Sequence, residues 1–182
     1  MIKLLNIMVV VAIVTTVYNA GSYSLNAVDN ACSHIAVESV DTLDQYYSCI
    51  DKPSVQNMLG YLKHIEMRHP ELVLRQAILE SGWFRSKYCI KYNNMFGMGK
   101  PYYRQSAASS FIKTDKSHYI AQYDHWTICA DDYKLYQDYM FNEHDYSGRT
   151  DNDYIQFLID RHYFEEDPTT YKSILNGIRL DK

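Results

Sequence analysis

One glutamate occupies a position typical of a general acid. Glu80 lies in the segment Gln-Ala-Ile-Leu-Glu-Ser-Gly-Trp, residues 76–83. Val73, Ala77 and Glu80 share one face of a predicted helix, so the carboxyl ends a mostly apolar stripe beside Trp83. Burial disfavours the charged form of a carboxyl group and raises its pKa. A carboxylic acid that keeps its proton near neutral pH can donate it to a glycosidic oxygen. From the spacing alone, a solvated or helix-capping glutamate is the favoured interpretation.

Other groups of histidine, cysteine, glycine and acidic residues give weaker indications of a metal or phosphate site. His64 and His69 are five residues apart, whereas two zinc ligands on one helix face need a separation of four. The cysteine spacings do not resemble a zinc site, and no glycine-rich phosphate loop is present. The acidic pair Asp131–Asp132 is expected to be exposed or to cap a helix. The sequence therefore predicts an enzyme without a metal or another cofactor.

The elements that must position Glu80 are mostly helical. Ser54 is the predicted N-cap of a helix whose apolar positions continue to Ile65 and whose stop is Pro70. Pro70 also starts the next helix, which carries Glu80. Residues 97–123 lose the helical period and predict a loop or a small β-hairpin. Helical pattern returns after Asp124, over Asp151–His162 and after Asp167-Pro168. The predicted fold is mainly α (α+β), with a small β-hairpin lobe.

Composition and charge narrow the class of partner. The chain has 182 residues, of which 47% are hydrophobic and 22% charged, which suits one globular domain. Its net charge of −4 and the absence of a Lys/Arg cluster argue against nucleic acid as a partner. Tyrosine is abundant, with 18 copies, and its ring suits sugar stacking, although most copies are expected to pack the core or cover the surface.

The N-terminus predicts export. Residues 1–22 combine Lys3, an apolar run and small residues around Ser22, which is typical of a signal peptide, with an uncleaved membrane anchor as the alternative. Residues 23–50 are predicted to be a leader, and residues 51–182 the catalytic domain. Export would permit the four cysteines to pair, and we favour Cys32–Cys49 with Cys89–Cys129 over reduced, buried cysteines.

Four sequence blocks between residues 76 and 171 resemble, in order, the bacterial glucosaminidase family, glycoside hydrolase family seventy-three. Residues 76–83 with Ser86 resemble its Q-A-x-x-E-S-G-W-G-x-S motif, and residues 93–97 its N-N-L-F-G motif. Residues 123–133 resemble Y-D-S-x-x-x-S-x-x-D-Y, and residues 163–171 resemble Y-A-T-D-P-x-Y. The resemblance implies a lysozyme-like helical lobe and cleavage of β-1,4 bonds after N-acetylglucosamine in peptidoglycan.

The resemblance also implies roles for particular residues. Glu80 falls on the general acid, and Tyr163 on the tyrosine beside the reacting sugar. Asn94 and Phe96 fall on the motif that lines the cleft floor, where the Asn94 amide would hold an N-acetyl group and Phe96 would pack beneath. Trp83 and Tyr123 are the other expected substrate-binding residues; plain core packing is the alternative for Trp83, and is favoured for Phe96.

Three departures from the family pattern matter. Phe84 replaces the glycine that usually follows the tryptophan, and His125 and Ala130 or a neighbour replace the two serines of the Y-D-S-x-x-x-S block. Residues 97–123 contain no glutamate to act as second acid, which leaves the mechanism open. Asp115 is the tentative second carboxylate, as a base that activates water; the alternative, slightly favoured, is attack by the substrate's own acetamido group. Two other functions remain open: a lytic transglycosylase, or a silent glycan-binding protein on the same fold. Action on peptidoglycan in the periplasm or outside the cell is expected in each case.

Overall fold

The computed structural model describes residues 40–114, 118–143, 146, 148–161, 163 and 167–180. The chain divides into two units, Met1–Asp51 and Lys52–Lys182. The predicted signal peptide, most of the predicted leader, Cys32 and Asp115 lie outside the described residues, and these expectations remain predictions. In the described part of the chain, no helix has the length and apolar character that a membrane span requires.

The described residues contain seven helices and one β-hairpin. In the first unit, α1 covers Val40–Ser48. The second unit holds three helices, then the two strands of the hairpin, then three further helices. Their bounds are α2 Val55–His64, α3 Pro70–Ser81, α4 Lys87–Tyr92, β1 Ser110–Lys113, β2 Tyr119–Gln122, α5 Trp126–Glu143, α6 Asp151–Asp160 and α7 Pro168–Gly177. The expected mainly helical fold with a small hairpin is confirmed.

Local capping explains where several helices begin. The Ser54 hydroxyl accepts a hydrogen bond from the Asn57 N–H at 3.1 Å and caps α2, as predicted. Asp167 caps α7 in the same way, ahead of Pro168. Helix α2 ends at His64, well before the predicted stop at Pro70, because Glu66 adopts a left-handed φ of 54° as the chain turns toward α3. Helix α4 was not predicted from the sequence; its N-cap is Ser86.

Helix α3 lies at the centre of the second unit. It packs against α2 and α7, and it buries side chains around most of its circumference rather than along one stripe. Its buried residues are Leu72, Val73, Leu74, Gln76, Ala77, Ile78 and Ser81. A helix held on several sides is a rigid support for the residue at its C-terminal end, which is where Glu80 lies.

A buried hydrogen-bond network ties α3 to three other helices. The Tyr133 hydroxyl of α5 donates to Gln76 Oε1 at 3.0 Å and lies 3.0 Å from the Tyr154 hydroxyl of α6. Gln76 Nε2 donates to the Tyr171 hydroxyl of α7 at 3.4 Å, and Gln137 Nε2 donates to the Tyr154 hydroxyl at 3.1 Å. The motif glutamine Gln76 is therefore a structural residue, since its buried amide finds partners inside the protein.

The hairpin pairs β1 and β2 in antiparallel register. Ser110 is opposite Gln122, and Lys113 is opposite Tyr119. An isolated bridge from Gly99 to Ile120 extends the pairing to the segment that precedes β1. A Cβ on Gly99 would lie 3.1 Å from the Tyr119 carbonyl oxygen, so this close approach favours glycine.

The structure corrects one of the two predicted disulfide bonds. Cys49 is disulfide-bonded, with its partner outside the described residues. Cys89 and Cys129 are both free and buried, so the predicted Cys89–Cys129 bridge is wrong. Burial raises the pKa of the Cys89 thiol to about 11 and that of Cys129 still further, which keeps both in the thiol form at neutral pH.

Candidate active site

Glu80 lies in the last turn of α3, and the helix ends immediately after it. Gly82 adopts a left-handed φ of 58° as the C-cap, and its N–H bonds back to the carbonyl oxygens of Ile78 and Leu79. The two residues that follow, Trp83 and Phe84, are also left-handed, with φ of 59° and 60°. The chain therefore turns sharply away from the helix axis and leaves the Glu80 side chain open to a groove.

Few polar groups lie near the Glu80 carboxylate among the described residues. Gly97, with φ of +65°, is the close backbone neighbour: a Cβ built there would lie 3.9 Å from Glu80 Oε2. Tyr163 and Tyr171 are near enough for the negative charge of Glu80 to raise their pKa values, after the larger effect of their own burial. Within the described residues, no hydrogen bond or ion pair engages the carboxylate.

Partial burial favours the protonated form of Glu80. Its pKa is raised above the usual value for glutamate because surrounding protein atoms displace part of its hydration. The side chain is nevertheless exposed by surface area. The two observations are compatible, because a carboxyl group in an open groove can touch water on one side while protein fills much of the space around it. The direction of the shift is the one that a general acid needs.

Glu80 opens into a groove of about 480 Å³. Among the described residues that line this groove, Glu80 carries the only carboxyl group, and the rest are mainly aromatic, cationic or small. They are Phe96, Gly97, Met98, Gly99, Lys100, Pro101, Tyr102, Tyr103, Arg104, Tyr136, Tyr139, Arg161 and Tyr163. The groove thus brings together three of the residues singled out from the sequence: Glu80, Phe96 and Tyr163.

Tyr163 presents a neutral phenol to the groove. Burial, and then the charge of Glu80, raise the pKa of its hydroxyl well above the usual value for tyrosine. Its ring centroid lies 5.8 Å from that of Tyr136, which lines the same wall. A hydroxyl that stays protonated can donate a hydrogen bond to a sugar oxygen or accept one from an N–H group.

Phe96 forms part of the floor of the groove while belonging to the core. Only 3% of the residue is exposed, and its ring stacks on Tyr133 with centroids 4.1 Å apart. Core packing, the interpretation favoured from the sequence, accounts for most of its surface.

Asn94 does not lie in the groove. It is 1% exposed, and Nδ2 donates to the carbonyl oxygens of Met98 and Ala121, both at 2.8 Å. Oδ1 accepts from the Met98 N–H at 2.8 Å. The expected contact with an N-acetyl group is therefore replaced by a structural role, because the amide is already used in joining the Gly97 loop to β2.

Tyr123 is also buried rather than available to substrate. It is 2% exposed, and its hydroxyl donates to Asp132 Oδ2 at 2.7 Å. Asp132, expected to be exposed or capping, is fully buried and forms a bidentate pair with Arg104, with N–O distances of 2.8 and 3.2 Å. The Ala107 N–H also donates to it, at 2.9 Å.

This buried pair holds one wall of the groove in place. Burial acts to raise the pKa of Asp132, but the hydrogen bonds from Arg104, Tyr123 and Ala107 outweigh it and hold the pKa below the usual value. Arg104 lines the groove and also lies over the Tyr136 ring at 5.8 Å. Sequence reasoning missed Arg104, since its partner is 28 residues further along the chain and no local pattern signals the contact.

Trp83 lies on a different surface from the Glu80 groove. It is 42% exposed and lines a second, separate depression with Val55, Phe84 and Arg85. The left-handed φ of Phe84 explains why glycine suits this position, since a residue with a side chain is strained there. Asp115, the tentative second carboxylate, lies outside the described residues. No group of three or more potential metal ligands occurs in the part of the chain that the structure covers.

Comparisons with known proteins identify the family of this chain. The glucosaminidase family model, described as mannosyl-glycoprotein endo-beta-N-acetylglucosaminidase, matches residues 57–179. A structure of a type VI secretion system effector–immunity complex from Pseudomonas protegens is similar at 18% identity, with a TM-score of 0.47, covering 75% of this chain and 88% of that one. The catalytic domain of the autolysin Auto from Listeria monocytogenes is similar at 20% identity, with a TM-score of 0.46, covering 86% of this chain and 92% of that one. A comparison with curated proteins gives no match. Because the family model spans more than half of the chain, this protein belongs to the glucosaminidase family and is a glycoside hydrolase.

Proposed function

We propose that the chain is an endo-β-N-acetylglucosaminidase of peptidoglycan and that Glu80 is its general acid. The observation that carries the proposal is the position of Glu80: it supplies the only carboxyl group among the described residues of the groove, and partial burial raises its pKa. The family match supports glycoside hydrolysis, and the four sequence blocks support peptidoglycan as the glycan.

In the first step, protonated Glu80 donates its proton to the glycosidic oxygen of the scissile bond. The bond from the anomeric carbon to that oxygen breaks, and positive charge develops on the sugar ring. Gly97 permits this approach, because the absence of a side chain leaves space beside Oε2 for the substrate oxygen. Proton transfer of this kind accelerates a reaction by about 10²- to 10⁴-fold.

The second step uses the acetamido group of the substrate. Two-carboxylate mechanisms need a second acid within about 5–10 Å of the first, and the described part of the groove supplies none. The acetamido oxygen therefore attacks the anomeric carbon and forms a cyclic intermediate, and water then opens it while the Glu80 carboxylate takes the proton. In this proposal Tyr163 orients the acetamido group through its neutral hydroxyl; the effect of the Glu80 charge on its pKa supports their proximity.

Product analysis tests the proposed linkage. Purified protein is incubated with peptidoglycan, and new chain ends are identified by mass spectrometry, with Glu80→Gln as the matched control. Reducing N-acetylglucosamine ends formed by wild type alone are expected. Anhydromuramic ends would instead establish a lytic transglycosylase, and wild type as inactive as Glu80→Gln on several wall types would establish a glycan-binding protein without turnover.

Stereochemistry and one further variant test the second step. Substrate assistance retains the anomeric configuration, so proton NMR of the first products is expected to show the β-anomer. Asp115→Asn is expected to keep near-normal turnover. An α-anomer, or loss of turnover by Asp115→Asn with the fold intact, would contradict substrate assistance and favour Asp115 as the base.

The site of action follows from the substrate. Peptidoglycan lies outside the cytoplasmic membrane, and residues 1–22 have the pattern of an export signal. We therefore place the enzyme in the periplasm or outside the cell. N-terminal sequencing of secreted protein tests this, with Tyr23 expected as the first residue; recovery of the full-length chain in the cytoplasm alone would contradict it.

A further inference from the structure

We infer that Tyr102 and Tyr103 form a distal sugar-binding subsite at the rim of the groove, which takes consecutive sugars of an extended glycan strand. This inference rests on the proposed function, because it adds a binding determinant to the same groove. It also makes a distinct claim: the enzyme distinguishes long strands from short oligosaccharides through these two rings.

The exposure of the two rings is unusual. Each residue is 87% exposed, more than any other large hydrophobic residue in the described chain. Tyrosine rings carry a large apolar area, and an area that stays in water contributes nothing to the stability of the fold. Adjacent exposed rings that border a groove are instead typical of a ligand-binding surface, in which the bound ligand covers the rings.

The two tyrosine rings and the Glu80 carboxyl group share one groove. Both Tyr102 and Tyr103 line the groove into which Glu80 opens. Their centroids lie 6.4 Å apart, with an angle of 53° between the planes. Two rings at this angle cannot both stack on the same face of one sugar ring, so the pair fits two successive units of a strand. Sugar rings suit such contacts because one face presents C–H groups and the edge presents hydroxyls that the phenols can bond.

The backbone that carries the rings is fixed at both ends. On one side, Gly99 bridges to Ile120 of the hairpin. On the other side, Arg104 forms the buried pair with Asp132 of α5. The rings therefore project from an anchored segment rather than from a free loop, which lowers the ordering cost of binding.

The consequence is a dependence on chain length. We expect a short oligosaccharide that spans only the scissile bond to leave the Tyr102–Tyr103 pair uncovered, whereas a long strand contacts both rings. Loss of the pair should therefore weaken binding of long strands and leave the chemical step unchanged. In kinetic terms, KM for long strands should rise while kcat at saturation stays constant.

The test compares two substrates across matched variants. Values of kcat and KM are measured on long peptidoglycan glycan strands and on a tetrasaccharide of alternating N-acetylglucosamine and N-acetylmuramic acid. Tyr102→Ala/Tyr103→Ala should lower kcat/KM about tenfold on strands and have a smaller effect on the tetrasaccharide. Tyr102→Phe/Tyr103→Phe, which keeps both rings, should retain most of the activity. Tyr88→Ala removes a tyrosine that is 39% exposed outside the groove and is the control for loss of a surface ring.

A binding assay separates this inference from the proposed function. Co-sedimentation of long strands with Glu80→Gln, with and without the Tyr102→Ala/Tyr103→Ala change, needs no turnover. Weaker binding without the rings supports the subsite, even where the wild-type protein fails to hydrolyse any wall. An equal effect on strands and tetrasaccharide, or undiminished binding and activity on strands, would overturn the inference.

Discussion

The carboxylate of Glu80 faces the backbone of Gly97, where an added Cβ would lie 3.9 Å from Oε2. Gly97 also has a left-handed φ of +65°. The glycine of the N-N-x-F-G block thus serves two purposes, a backbone conformation that L-residues rarely adopt and open space beside the acid.

Gly97→Ala should cost stability and also change catalysis. The left-handed conformation makes alanine less favourable by about 1–2 kcal/mol. The methyl group would also displace water from Glu80, raise its pKa further and narrow the space for the scissile oxygen. We expect a lower kcat/KM and an alkaline limb of the pH profile shifted upward, measured with soluble glycan strands.

Gly82→Ala is the matched control for this prediction. Gly82 has nearly the same φ, +58°, but nothing lies within 4 Å of an added Cβ. The Gly82→Ala variant should lose about as much free energy of unfolding as Gly97→Ala and keep the wild-type pH profile. Identical pH profiles for both variants would show that the carboxylate does not face Gly97.

Glu80→Gln should stabilise the protein at neutral pH. The folded-state pKa of Glu80 is raised, so its stabilising contribution is full below the unfolded pKa of about 4.3 and is lost as pH rises through the folded value. Glutamine avoids that loss. Because solvent reaches the carboxyl, the gain at pH 7 should stay below about 1 kcal/mol. Thermal unfolding at pH 7 and pH 4 measures it, and a gain that is no smaller at pH 4 would contradict the assignment.

Asp132→Asn should destabilise the protein strongly, because it leaves the Arg104 guanidinium buried without its counter-charge. The expected loss is about 3–5 kcal/mol, measured by urea unfolding. The double variant Arg104→Met/Asp132→Asn should lose less than the sum of the single changes. Strict additivity would show that the two side chains are not coupled.

The same pair predicts an acid sensitivity. The folded-state pKa of Asp132 is lowered, so the stability it contributes is present above its unfolded pKa and is lost as pH falls through the folded value. The difference in stability between wild type and Asp132→Asn should therefore shrink at acidic pH. A difference that grows as pH falls would contradict this sign.

Asn94→Ala should affect folding rather than substrate binding. It would leave the Met98 N–H without its acceptor and remove the amide donor to the carbonyl oxygens of Met98 and Ala121, at a cost of about 1–3 kcal/mol for each group left unsatisfied. The Met98 oxygen keeps a second donor, the Ala121 N–H at 2.9 Å. We expect a marked drop in the urea midpoint and an unchanged KM for protein that remains folded at low temperature. A selective rise in KM without loss of stability would restore the sugar-binding role expected from the sequence.

The features that the sequence predicted well are local ones. Ser54, Pro70 and the Asp167-Pro168 pair signal helix starts through contacts within four residues. The position of Glu80 at a helix end follows from the same kind of pattern. Each of these depends on a short stretch of chain, so spacing and residue type are sufficient.

The features that it missed depend on distant contacts. Asn94 is separated from its partner Ala121 by 27 residues, and Tyr123 and Arg104 meet at Asp132 only after the chain has folded. A polar residue in a family motif can hold either substrate or backbone, and only burial distinguishes the two. For the same reason, Tyr102 and Tyr103 were indistinguishable from the other tyrosines until their exposure was known.

We propose that one carboxyl group, that of Glu80, delivers the proton. The most direct test is the rate at which Glu80→Gln releases reducing ends from peptidoglycan, compared with wild type at the pH optimum. Loss of at least about a hundredfold, with the fold intact by circular dichroism, is the predicted result. A variant that retains a substantial part of the wild-type rate would contradict it.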